Sequence, residues 1–140
     1  MSPEEAVERL NIILSHLWMV RTFLKHAPEV EEDEVLLDVP RTLFDSIRAV
    51  EPARERGDHA EFLRRLKGKL PKLRRVAELL QREHARVSDH TNFKMAATSL
   101  QGAVKQMEDV FAQLKAPPSP ASEKATRSEP ADLDSDQSGA

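Results

Sequence analysis

Apolar residues recur along most of this chain at alternating steps of three and four, the repeat of one helix face. The clearest run is Phe93, Ala96, Leu100, Ala103, Met107, Val110 and Leu114, widened by Ala97, Val104 and Phe111. It predicts a helix ending near Leu114, capped at its start by Ser88-Asp89. A second run holds Leu63, Leu66, Leu70, Leu73, Ala77, Leu80, His84 and Val87. It predicts a helix opened by Asp58, with Glu61 completing a capping pattern, and bent where Gly68 and Pro71 fall inside it. Leu36, Pro40, Leu43, Ile47 and Val50 predict a helix over 33–50, kinked at Pro40 and closed by Pro52. A connector followed by a helix starting near Pro40 fits the same residues. Ser2-Pro3-Glu4-Glu5 opens a helix over 3–27, which Pro28 stops, and Glu29–Glu34 forms an acidic connector.

On a wheel of 100° per residue, the first helix carries two apolar stripes. Leu10, Ile13, Leu17, Val20 and Leu24 form one, and Ile12, His16, Met19, Phe23 and His26 the other. The remaining strip, Glu8, Asn11, Ser15, Thr22 and Lys25, is polar and includes the only tryptophan, Trp18. A helix apolar over so much of its circumference has two explanations. It is the most buried helix, with Trp18 along the bundle edge. Or its second stripe, with Trp18, Met19, Arg21 and Thr22, presents a surface to a protein partner or a second copy.

Four stripes joined by short connectors predict an all-α domain over 1–115, a four-helix antiparallel up-down bundle. Four glycines and no tyrosine agree with this and argue against a β-sandwich or barrel. Residues 116–140, APPSPASEKATRSEPADLDSDQSGA, contain Leu133 as their only large apolar side chain. Such a segment cannot offset its ordering entropy and is expected to be a disordered acidic tail.

Charge is divided unevenly. Residues 1–115 balance 19 basic against 19 acidic side chains, so the net charge of −3 rests on the tail. That argues against a globally basic nucleic-acid binder. One local exception is the third predicted helix, where Arg64, Arg65, Lys69, Lys72, Arg75, Arg82 and Arg86 fall within about 140° of arc. This is either a solvated face partly neutralised by the Glu29–Glu34 run, or a contact surface for phosphates or an acidic partner. The chain has no cysteine, which fits a reducing cytoplasm, and no apolar run of membrane-spanning length.

Little chemistry is on offer. No histidine follows a Glu or Asp at the spacing of a di-metal bundle, and there is no nucleotide-binding glycine motif. No metal site, cofactor or catalytic residue is expected. His84, Asp89, His90 and Asn92 lie together around the last connector and read as capping and core-edge groups before they read as a catalytic pair.

Two resemblances remain. Arg21-Thr-Phe-Leu-Lys-His26 is similar to the Arg-x4–6-His motif of HEPN ribonucleases, which would make Arg21 a phosphate holder and His26 an acid/base. The Arg is followed by Thr here, and the motif sits in the first helix instead of late in the domain. HLWMVRTFLKH, DEVLLDVPRTLFDSI and HTNFKMAATSL, within about residues 10–114, resemble a group of small uncharacterised bacterial all-helical proteins. That likeness implies a fold and no activity. The chain is therefore expected to be a non-catalytic binding or scaffold module in the cytoplasm. Its expected partner face is the first helix, for a protein or a second copy. The alternatives are a phosphate- or nucleic-acid-contacting module using Arg64, Arg65, Lys69, Lys72 and Arg75, and a small hydrolase or HEPN-like ribonuclease.

Overall fold

Ser2 starts the first helix through a reciprocal pair of hydrogen bonds. Its Oγ accepts the Glu5 amide at 3.1 Å, and the Glu5 carboxylate accepts the Ser2 amide at 3.0 Å. Together they satisfy two otherwise orphaned backbone donors. The computed structural model describes residues 1–115, and the expected tail, 116–140, lies outside them. The described residues form five helices: α1 (Pro3–Lys25), α2 (Pro28–Glu31), α3 (Asp38–Glu55), α4 (His59–Val87) and α5 (Thr91–Lys115).

The expectation of four helices missed α2. Pro28 stops α1 as expected but then serves as the first residue of a new helical turn, where a missing N–H costs nothing. The acidic run is anchored by one apolar residue, Val30, which is fully buried. Leu36, also fully buried, holds the chain down again before α3.

The helix expected over 33–50 is also corrected. It begins at Asp38, so Pro40 lies in its first turn, where no intrahelical N–H is needed and no kink is forced. Its other end passes through Pro52 to Glu55. The stop comes from Gly57 in the left-handed region (φ 73°). The Gly57 amide donates to the Arg54 carbonyl and the Asp58 amide to the Ala53 carbonyl, at 3.0 and 2.9 Å. That paired closure is the usual glycine-terminated helix end. Asp58 then caps α4 through the Glu61 amide at 3.1 Å. α4 runs unbroken past Gly68 and Pro71, both exposed.

The α4–α5 connection differs from expectation in one detail. Ser88 Oγ accepts the His90 amide at 3.1 Å, and His90 Nδ1 accepts the Asn92 amide at 3.0 Å. His90, not Asp89, is the cap residue.

α1 packs against α3 and α5, and α4 packs against α3 and α5. The stripes meet in one core, with Leu10, Leu17, Leu24, Leu43, Phe62, Leu66, Leu73, Leu80, Leu100 and Met107 almost wholly shielded. Each such side chain contributes on the order of 2 kcal/mol by leaving water. No helix among the described residues is long and apolar enough to cross a membrane.

Candidate docking face on α1 and α3

The two stripes of α1 have different fates. Leu10, Ile13, Leu17, Val20 and Leu24 are buried, together with Leu14. Of the second stripe, Phe23 packs edge-on against Phe93 of α5, with ring centroids 5.1 Å apart. The rest faces outward: Ile12 is 62% and Met19 66% exposed, and His16 and His26 are exposed too. α1 therefore keeps an apolar outer surface that no other described helix covers.

Trp18 is half-buried beside α3, its ring centroid 6.0 Å from that of Phe44. The Arg21 guanidinium lies over both rings, 4.5 Å from Trp18 and 4.8 Å from Phe44. Arg48 approaches Phe44 as well, at 5.7 Å. A guanidinium against aromatic faces keeps its edge N–H donors directed outward, ready for a planar anion. Thr22 is half-buried, and its Oγ1 is enclosed with no hydrogen-bond partner. Thr22 and Trp18 are thus nearer the α1–α3 seam than a solvent-facing polar strip would place them.

Clefts flank this stack. One, of about 530 Å³, has Leu14, Ile47, Val50 and Phe62 as its floor, Trp18 and Met19 as a wall, and Arg48, Glu51 and Arg54 at its rim. The other, of about 450 Å³, lies beyond Arg21 and Phe44, between Lys25, Leu37, Pro40, Arg41 and Asp45. Among the described residues, Arg21, Lys25, Arg41 and Arg54 form no ion pair, while Arg48 pairs with Glu51 at 3.4 Å.

The basic face of α4 is arranged differently. Glu61 takes both Arg64 and Arg65, and is held below its ordinary pKa by them. Arg75 reaches Asp38 of α3 at 2.6 Å, and Asp38 is likewise lowered, first by the Arg75 hydrogen bond. Arg86 binds Asp33 at 2.7 Å and Glu83 at 2.7 Å. Asp33 also accepts the Leu36 amide, and these bonds, that of Arg86 foremost, pull its pKa down to about 2. Lys69 and Lys72 alone of the five expected contact residues are without an ion pair among the described residues.

The remaining candidates do not come together. Arg21 and His26 lie about 140° apart around α1, and His26 Nδ1 hydrogen-bonds the Thr22 carbonyl at 2.9 Å. His84 is half-buried near the end of α4, its Nδ1 enclosed and unpartnered. His90 is occupied as a cap. Among the described residues, no group of three His, Asp or Glu side chains is close enough to hold a metal ion.

Phe44, Arg41, Arg48 and Arg54 were missed by sequence reasoning. A signal for Phe44 existed: it is an aromatic next to, and not within, the α3 stripe. The chain matches no protein-family model, and no similar curated protein or solved structure was found.

Proposed function

We propose that this chain is a non-catalytic binding module of antiparallel up-down bundle architecture, and that its α1–α3 face receives a partner protein segment. The observation that carries this reading is Arg21, lying over Trp18 and Phe44 with no carboxylate partner among the described residues, between two clefts. The clefts suit large apolar side chains, and the rim suits acidic ones. The partner is therefore an acidic segment with apolar anchors, in which a carboxylate meets Arg21 edge-on. Trp and Arg are the side chains that most often carry binding energy at such interfaces. The cysteine-free composition supports a reducing, cytoplasmic setting.

Selection of a random displayed-peptide library on the whole protein tests the proposal. Enriched peptides should combine a large apolar residue with acidic neighbours and should lose binding to the Trp18→Ala protein. Enrichment of nothing, or of peptides indifferent to Trp18, overturns it.

A further inference from the structure

The described residues leave a cationic groove without an acidic occupant, while the chain's own surplus of acid lies in the segment beyond α5. We propose that the segment around Leu133, Glu129 to Asp136, docks in the α1–α3 groove and acts as a built-in competitor for partner segments. This rests on the reading of that face as a peptide-binding site.

Charge points to it first. Among the described residues, Arg54 at the larger cleft and Arg21, Lys25 and Arg41 at the smaller one form no ion pair, and neither does Asp45 at the smaller one. Residues 1–115 are otherwise balanced, and the −3 of the chain falls on 116–140. Glu-Pro-Ala-Asp-Leu-Asp-Ser-Asp concentrates four of its five acids around its single large apolar residue. Leu133 between Asp132 and Asp134 matches the larger cleft, which has an apolar floor for one anchor and, at its rim, Arg54 beside the Arg48–Glu51 pair.

Geometry allows the same chain to reach it. The end of α5 lies beside the first half of α1, since Arg9 and Ile12 share a surface cleft with Asp109 and Gln113. Lys115 also sits against Lys67 in the first half of α4, and lowers its pKa. The larger groove begins at Asn11 and Leu14 of α1, runs along it to Met19, and extends to Arg54 and Phe62, which flank the α3–α4 turn. Only α1 separates the two places, a distance of about two helix spacings, or about 20 Å. A chain from Lys115 to Leu133 spans up to about 60 Å. Tethering at this length raises the local concentration to the order of mM, so a segment of only mM affinity as a free peptide fills the groove about half of the time. Occupancy at that level blocks weak ligands and yields to strong ones.

The absence of cysteine makes a direct test clean. A nitroxide is attached to the full chain at Ser135→Cys, and paramagnetic broadening of backbone and indole resonances is read by NMR. At low salt the Trp18 indole N–H and the Arg54 amide should lose more than about half their intensity, in line with half occupancy. The loss should disappear with Leu133→Ala, and in 1 M NaCl, where the screening length is about 3 Å. Broadening that is uniform, or centred on Lys69 and Lys72 of α4, overturns the proposal. So does broadening that appears only on an isotope-labelled copy mixed with a spin-labelled one, which would make the occupant a second molecule. If displayed peptides bind the face and the label leaves Trp18 untouched, the competitor fails and the binding face stands. If neither binds there, both fail.

Discussion

The outer face of α4 and the α1–α3 face carry comparable cationic character and arrive at opposite states. On α4 the arginines find carboxylates: Arg75 meets Asp38 of α3, Arg74 meets Glu108 of α5 at 2.5 Å, and Arg86 meets Asp33 before α3. On α1 and α3 the cations instead surround aromatic rings and clefts. A row of basic residues therefore says little about binding until its neighbours are known. The face with the denser row in the sequence is the more nearly neutralised one. The sparser set, spread over two helices, has Arg48–Glu51 as its one ion pair among the described residues.

The largest expected effect comes from Phe62, which is fully buried and also part of the groove floor. Phe62→Ala should cost about 3–5 kcal/mol in urea unfolding, as for other buried aromatics. A loss under about 1 kcal/mol would mean that the groove floor is not core, and the contrast between a rigid base and an open rim would fail.

Next is the stack itself. Trp18→Ala should weaken binding of a selected acidic peptide by about tenfold, a little over 1 kcal/mol, with helicity by circular dichroism unchanged. Arg21→Lys should also weaken it, because an ammonium loses both the planar stacking and the two-point grip on a carboxylate. Equal binding by the lysine protein would reduce Arg21 to a plain positive charge.

Acid should separate the two faces. Asp33, held at about 2 by Arg86 and the Leu36 amide, sits below the ordinary carboxylate value of about 4. Its depressed pKa means that its contribution is full above pH 4 and is lost as the pH falls through about 2. A carboxyl carbon NMR titration of Asp33 should show its midpoint there. In the Arg86→Ala protein the midpoint should move up toward 4, and the α2–α3 connection should loosen at a higher pH than in the parent. An unmoved midpoint would show that the backbone amides alone hold Asp33.

The smallest effect is expected at Lys69 and Lys72. Changing both to Ala should alter stability by no more than about 0.5 kcal/mol. If the protein binds nucleic acid at low salt, this pair should contribute a salt slope of about −0.9 for each phosphate neutralised. A larger fall would mean that the paired arginines of α4 are recruited as well, and the two faces would no longer differ.

Helix positions were largely legible in the sequence, because burial on one face forces a repeat that shows at each step. Every residue of the stripe Leu10 to Leu24 and of the stripe Leu36 to Val50 is buried. Prolines misled at two places for two reasons: a proline in a first turn removes no intrahelical bond, and one at an exposed position near a helix end can remove a single bond without ending the helix. Pro40 stands in a first turn, and Pro52 is exposed near a helix end whose stop is set by Gly57 five residues later. The candidate face was legible in part. Trp18, Met19, Arg21 and Thr22 were identified from α1 alone, but its α3 half was not, since Phe44 and Arg41 gain meaning only from what stands opposite them.

What the sequence by itself determined is local. Side-chain periodicity and capping chemistry act within about four residues, so Ser2-Glu5, Asp58-Glu61 and the apolar stripes specify the long helices without reference to the rest of the chain. Only the tertiary structure decided which charges are spent. Arg75 and Asp38 are 37 residues apart, and Arg86 and Asp33 are 53 apart. Likewise, Arg21 rests on Phe44 because α1 packs against α3. Ion pairing and stacking depend on distances of a few ångströms between helices, and packing sets those distances after each helix has formed.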